Sequence, residues 1–286
     1  MKFKELGRTG EKIPAIGIGT WNLSLNITKE VEALQYGIKL GMKLIDTAEI
    51  YGTEEIVGIA IKSFPREEVF VATKVSPNHF RYKDVIKSCN SSLERLGIKQ
   101  IDLYQLHWPN PRIPIEETMR AMEKLVEEGK IRYIGVSNFS VEELIKAQEA
   151  LKNNEIVSNQ VEYSLLNRDI EKDLMKFCEK EKITLIAYSP FALGKMFENK
   201  KLMDFLEKIA KKYNRNPAQI ALNWLISKRQ VVAIPKASNL KHLEENSQAS
   251  DFNMDKKDLK DIDNFSRNFK KKSLKDSLKL FTKIWR

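Results

Sequence analysis

Eight short apolar runs, separated by longer amphipathic stretches, recur along this chain, and that alternation restricts what it can fold into. The runs span residues 15–20, 43–46, 69–74, 101–107, 133–137, 157–162, 184–189 and 231–235. They have strand length and favour Val, Ile and Tyr, whereas the segments between them carry apolar residues at helical spacing. Tyr82–Leu96 places Val85, Ile86, Cys89, Leu93 and Leu96 on one stripe, and residues 115–128 do the same with Met119, Met122, Leu125 and Val126. Pro217 suits the first turn of a helix, where its missing N–H costs little. Parallel neighbouring strands need a crossover, so this alternation predicts parallel βαβ units, and eight of them predict a closed (β/α)8 barrel. Ahead of the first run, residues 3–6 and 12–13 flank Gly7-Arg8-Thr9-Gly10, the pattern of a hairpin that would plug one barrel end.

No repeat, low-complexity stretch or linker divides the 286 residues, so one unit is expected, with a hairpin over 1–14, a barrel over 15–250 and a helical tail over 251–286. Hydrophobic residues at 42% suffice for a large core under a heavily charged surface. The net charge of +10 favours anionic partners, yet its charges are interspersed, as in Glu127-Glu128-Gly129-Lys130, and read mostly as solvated helix faces. Without a recognised motif or a basic stretch interleaved with aromatics, nucleic acid is not an expected partner. Cys89 and Cys178 lie in amphipathic stretches and make no disulfide framework. His79, His107 and His242 lack the spacing of zinc ligands, so no metal is expected. No apolar segment follows Met1-Lys2-Phe3-Lys4, and no run has bilayer length. A cytoplasmic monomer or small homo-oligomer, with no membrane partner, is the expectation.

The polar residues fall at one place. Most of the apolar runs end in a side chain capable of chemistry: Asp46, Lys74, His107, Ser137 with Asn138, Gln160 with Glu162, Tyr188, and Lys236. In a parallel barrel all strand C-termini open on the same face, where barrel active sites are built. Tyr51 joins them from the loop Asp46-Thr47-Ala48-Glu49-Ile50-Tyr51-Gly52. Asp46 and Lys74, sealed behind apolar strand residues, would each need the other's charge to tolerate burial. A phenol with a reference pKa of about 10 is a poor acid, and an adjacent ammonium is expected to draw that value down. Tyr51 would then give a proton to a carbonyl oxygen as hydride reaches the carbon, with His107 donating a second hydrogen bond. An ordinary salt bridge and a core histidine are the rival readings of these residues taken singly. The glycines of Gly17-Ile18-Gly19-Thr20-Trp21 do not make a Rossmann fingerprint, because position 22 is Asn22 and no helix opens there.

The segments Gly17-Ile18-Gly19-Thr20-Trp21, Asp46-Thr47-Ala48-Glu49-Ile50-Tyr51-Gly52, Leu106-His107-Trp108-Pro109, Gly135-Val136-Ser137-Asn138-Phe139 and Ile234-Pro235-Lys236 together resemble aldo-keto reductases. The resemblance runs in order from Leu6 to about Asn246, and Asp46, Tyr51, Lys74 and His107 match the family's catalytic tetrad. It implies hydride transfer between NADP(H), with NAD(H) possible, and an aldehyde or ketone or the corresponding alcohol. It further implies that Gly19, Thr20, Trp21 and Asp46 contribute to the cofactor site and that Ser137, Asn138 and Gln160 hold the carboxamide. Tyr188 would stack on the ring, Ser189, Pro190 and Leu193 would line the pyrophosphate, and Glu245 and Asn246 would reach the adenine.

At strand eight the family pattern is Ile-Pro-Lys-Ser/Thr followed by an Arg, whereas this chain reads Ile234-Pro235-Lys236-Ala237-Ser238 with His242 at the Arg position. Lys236 and the free N–H groups of the next helix are expected to hold a 2′-phosphate, with Ser238 in place of the lost hydroxyl. His242 lacks the fixed charge and fork of Arg, so a reduced preference for NADP(H) is expected. Trp21 and Trp108 fall where the family places apolar pocket walls around Tyr51 and His107, and Phe80 is expected to join them. A tail stripe of Leu274, Leu278, Phe281 and Trp285 is expected to pack on the barrel and shape that pocket, with a membrane-surface or acidic-partner helix as the rival reading. The alternative function is a regulatory barrel that binds NADP(H) with little or no turnover.

Overall fold

The computed structural model describes residues 1–24, 26–267 and 269. Strand β1 (Phe3–Glu5) pairs antiparallel with β2 (Lys12–Pro14), the expected hairpin. Eight further strands form one parallel sheet in sequence order: β3 (Ile18–Gly19), β4 (Leu44–Asp46), β5 (Phe70–Val75), β6 (Ile101–Leu106), β7 (Ile131–Ser137), β8 (Ile156–Glu162), β9 (Thr184–Tyr188) and β10 (Val231–Ala233). The sheet closes on itself at the seam between β3 and β10. Ile16 bridges Ala233 in parallel, the Gly17 N–H donates to the Ala233 carbonyl at 2.9 Å, and the Gly19 N–H donates to the Pro235 carbonyl at 3.1 Å. Glycine is needed here: a Cβ on Gly17 would lie 2.6 Å from the Leu44 carbonyl oxygen, and one on Gly19 2.9 Å from that of Ile234.

Helices α1 (Ile27–Lys39), α2 (Glu54–Ile61), α3 (Tyr82–Leu96), α4 (Ile115–Glu127), α5 (Val141–Glu149), α6 (Leu174–Glu181), α7 (Lys195–Glu198), α8 (Lys200–Tyr213), α9 (Pro217–Ser227), α10 (Leu240–Gln248) and α11 (Lys256–Ser266) follow in chain order. The stripe read in 82–96 is α3 itself, and α4 ends one residue short of the expected 128. Pro217 opens α9, with Asn216 and Gln219 completing a capping box that meets two otherwise orphaned N–H groups. The run at 15–20 pairs as a strand only over two residues, because the chain meets β10 through single bonds at the seam.

Strand alternation divides the core in two. Leu44, Ala72, Leu103, Ile186 and Val232 point into the barrel, and Ile45, Val71, Tyr104, Leu185 and Val231 point out to the helices. Leu6 and Ile13 of the hairpin are fully buried in the inner cluster, each worth about 1.5–3 kcal/mol of apolar burial. Thr184 at the start of β9 ties the hairpin down, accepting from the Gly7 N–H at 2.9 Å and donating to the Glu5 carbonyl at 3.2 Å. The plug therefore closes the strand N-termini and leaves the polar C-terminal mouth as the open end. On the outside, Asp263 of α11 accepts from Trp224 Nε1 at 3.0 Å and from Arg168 at 3.0 Å. The stripe of Leu274, Leu278, Phe281 and Trp285 lies outside the described residues.

Candidate active site

Inward positions alternate along each strand, so the residue two beyond an inner apolar side chain also faces the lumen. Asp46 follows Leu44 on β4, Lys74 follows Ala72 on β5, and Gln105 then His107 follow Leu103 on β6. Lys74 is fully buried and Asp46 nearly so, at 0% and 2% exposure. Lys74 Nζ donates to Asp46 Oδ1 at 2.6 Å and to the Thr47 carbonyl at 2.7 Å. A short 3-10 turn, Glu49–Tyr51, ended by Gly52 with φ 67°, brings Tyr51 back over the strand ends. Lys74 Nζ then sits 4.8 Å from the centroid of the Tyr51 ring. Tyr51 Oη lies 3.2 Å from His107 Nε2, and the two rings meet edge-on. All four expected residues converge at one mouth.

The electrostatics differ from the expectation at one point. Burial, and then the charge of Asp46, raise the Tyr51 pKa well above that of an ordinary phenol. The lowering expected from Lys74 does not prevail, because Lys74 is already matched by Asp46 and the phenol is desolvated. Tyr51 is thus held protonated at neutral pH, the state from which a proton can be given. Burial lowers the Lys74 pKa, while the charge and hydrogen bond of Asp46 oppose that shift. Burial, and then the Lys74 charge, push His107 well below the usual imidazole value, so its ring is neutral. His107 Nδ1 is buried without a hydrogen-bond partner among the described residues. Proton placement on Nε2 leaves only a lone pair unmet there and makes Nε2 the donor.

Two amides complete the floor. Gln160 Nε2 donates to Asp46 Oδ2 at 2.7 Å, and Gln105 Nε2 reaches the same oxygen at 3.3 Å. Beside them, Ser137 Oγ donates to the Gln160 carbonyl at 2.9 Å and accepts from Asn138 Nδ2 at 2.9 Å. Tyr188 Oη donates to Asn138 Oδ1 at 3.0 Å, which fixes a half-buried ring at the end of β9. A model described as the aldo/keto reductase family matches residues 15–267. The chain belongs to this family.

The reductase is 38% identical over 271 residues to the methylglyoxal reductase YeaE of Escherichia coli (strain K12), covering 92% of this chain and 95% of that one. It superposes on the thermostable aldo-keto reductase Tm1743, solved with the inhibitor epalrestat, at a TM-score of 0.88 and 45% identity, covering 92% of this chain and 99% of that one. An aldo/keto reductase of Klebsiella pneumoniae, solved with NADP and acetate, matches at a TM-score of 0.85 and 35% identity, covering 95% of this chain and 98% of that one.

The remaining expected residues of the reductase are more scattered in character. Thr20 is fully buried and donates to the Asp46 carbonyl at 3.0 Å, so its side chain ties the end of β3 to that of β4. Trp21 is 40% exposed and Trp108 half-buried, both compatible with walls at the mouth. Phe80 is not: it is 1% exposed and packs in the outer core, because the 3-10 turn Pro77–His79 carries it down onto the helix layer. Ser189 and Leu193 adopt left-handed backbone in the loop after β9, Pro190 is buried, and Leu193 is 54% exposed. Lys236 and His242 are exposed, Ser238 and Glu245 half-buried, and Asn246 buried. The N–H groups expected to be free at the start of α10 are not all free, since Asn239 Oδ1 accepts from Lys241 N at 2.9 Å and His242 N at 3.4 Å. Sequence reasoning missed Gln105, although a polar residue in step with Leu103 and His107 in an apolar run was a legible signal.

Proposed function

We propose that this reductase transfers a hydride between NADP(H) and a small aldehyde or ketone, with Tyr51 as the proton donor in the reducing direction. The observation that carries the reading is the buried chain Asp46–Lys74–Tyr51–His107 at the open end of the barrel. The residues present suit a nicotinamide dinucleotide. Tyr188 offers a fixed aromatic face, Asn138, Gln160 and Ser137 give polar groups at the adjoining strand ends, and Lys236 gives an exposed cation at the seam. NADPH, when bound, supplies the hydride.

The chain's own residues manage the proton and the oxygen. A carbonyl oxygen placed between Tyr51 Oη and His107 Nε2 accepts two hydrogen bonds, which favours charge developing on that oxygen. Tyr51 then releases its proton to the oxygen and completes the alcohol. The phenolate left behind faces Lys74, whose ammonium is kept in place by Asp46 and the Thr47 carbonyl. Gln105 and Gln160 hold the second oxygen of Asp46, so the carboxylate cannot turn toward the phenol. Compact carbonyls would suit this mouth, with His107 buried at its floor and Trp21 and Trp108 as its expected apolar walls. Similarity to YeaE makes methylglyoxal the first substrate to try.

Loss of NADPH absorbance on adding methylglyoxal, simple aldehydes, ketones and sugars, compared with NADH, tests the reading. Turnover is expected with NADPH and a short aldehyde and not with Y51F. Absence of turnover across the panel, with NADPH still bound, would favour the regulatory barrel instead.

A further inference from the structure

A buried carboxylate stands beside the loop where a cation is wanted. Glu30 lies in the first turn of α1, which begins just after the β3 loop, and it is 1% exposed. Strands β3 and β10 are neighbours across the seam, where the Gly19 N–H donates to the Pro235 carbonyl at 3.1 Å, and Ser238 and Lys236 just beyond come near enough to act on the Glu30 carboxylate. The Ser24 N–H donates to Glu30 Oε1 at 2.9 Å. Glu30 Oε2 and Ser238 Oγ are both buried, yet neither completes a hydrogen bond of good geometry among the described residues. Burial works to raise the Glu30 pKa, but the nearby hydroxyls of Ser238 and Ser24, the Ser24 N–H and the Lys236 ammonium outweigh it and hold it below the usual carboxylate range. Glu30 is therefore a buried anion beside the seam.

We propose that Glu30 sets the choice between phosphorylated and unphosphorylated dinucleotide, by opposing a 2′-phosphate at Lys236 and Ser238. The inference rests on the reading that this mouth binds a nicotinamide dinucleotide. A phosphate monoester brings nearly two negative charges toward a fixed carboxylate that lies in the field of the same lysine, and like charges disfavour each other. A ribose 2′-hydroxyl carries no charge and meets no such opposition. The cap that Asn239 places on the start of α10 works in the same direction, since it occupies N–H groups a phosphate would use. The preference for NADP(H) is held down by a residue on α1, apart from the loop that carries the phosphate contacts.

The test is titration of the full chain and of E30Q with NADP+, NAD+, 2′,5′-ADP and 5′-AMP, by calorimetry or quenching of tryptophan fluorescence. E30Q keeps an acceptor for the Ser24 N–H while removing the charge. It is expected to tighten NADP+ and 2′,5′-ADP by about tenfold, the scale of one like-charge contact near a surface, and to leave NAD+ and 5′-AMP within about twofold. E30A should shift the same pair in the same direction and serves if E30Q folds poorly. Equal changes in both classes of ligand, or no change in either, would overturn the proposal. Failure of the unmodified chain to bind any of the four would instead refute the cofactor reading on which it stands.

Discussion

Tyr51 and His107 face each other at the barrel mouth, Oη 3.2 Å from Nε2, with ring centroids 5.4 Å apart and planes inclined by 73°. Two protonated, neutral groups thus meet at one place, one from the 3-10 turn after β4 and one from just beyond the end of β6. The pair is built by β4 and β6, which are not adjacent; β5 lies between them and supplies Lys74 beneath.

Removal of the phenolic oxygen should separate binding from turnover. Y51F is expected to lower kcat with a short aldehyde by about 100-fold or more, the usual weight of a positioned acid. Dissociation constants for NADP+ should stay within about twofold. Near-normal reduction by Y51F in stopped-flow measurements would remove Tyr51 as donor.

Lys74 cannot be removed without leaving Asp46 alone. K74M should cost about 3–5 kcal/mol in urea unfolding, because a buried carboxylate loses its partner. The double variant D46N/K74M should recover most of that stability while remaining inactive. Equal stability of K74M and the parent would mean that water reaches Asp46 and that the pair is not sealed.

His107 gives a pH dependence with a definite sign. Its pKa in the folded chain lies well below the unfolded value near 6.5, so the unfolded state takes up the proton first as pH falls. Stability is full above that value and is lost below it, by up to about 1.4 kcal/mol per pH unit from this group. Urea midpoints measured between pH 7 and 5 should show the slope, and H107Q should flatten it. No activity limb attributable to His107 is expected between pH 6 and 8.

The seam offers a test of closure. G17A places a methyl 2.6 Å from the Leu44 carbonyl oxygen, a backbone atom that cannot swing away. The variant should lose about 1–3 kcal/mol, as overpacked cores do. A melting temperature within a degree of the parent would mean that the seam gives more freely than its contacts suggest.

Much of this was legible in the chain itself. The eight runs set the strand order because βαβ crossovers leave few other ways to pair them, and the helix at 82–96 was readable because its stripe buries Val85, Cys89 and Leu96. The four candidate catalytic positions stood out because a polar or charged side chain at or just beyond the end of an apolar strand is costly to bury and therefore informative. Phe80 was misplaced because an aromatic side chain after a strand carries no mark of which way a 3-10 turn will send it. The direction of the Tyr51 shift was missed because it depends on how far Asp46 already satisfies Lys74, a balance of distances. Glu30 was overlooked for a related reason. In an amphipathic helix a glutamate reads as solvated, and only the packing of two helices across the seam shows that this one is not.

The meeting of Ile16 with Ala233 also has a bearing on synthesis. Strand β3 is synthesised well before β10 and waits for that second neighbour until the six strands between them have left the ribosome. Both borders of the growing sheet stay open during that interval, free to stick to other nascent chains. A chaperone that shields those borders during that interval is therefore expected to raise the yield of folded chain.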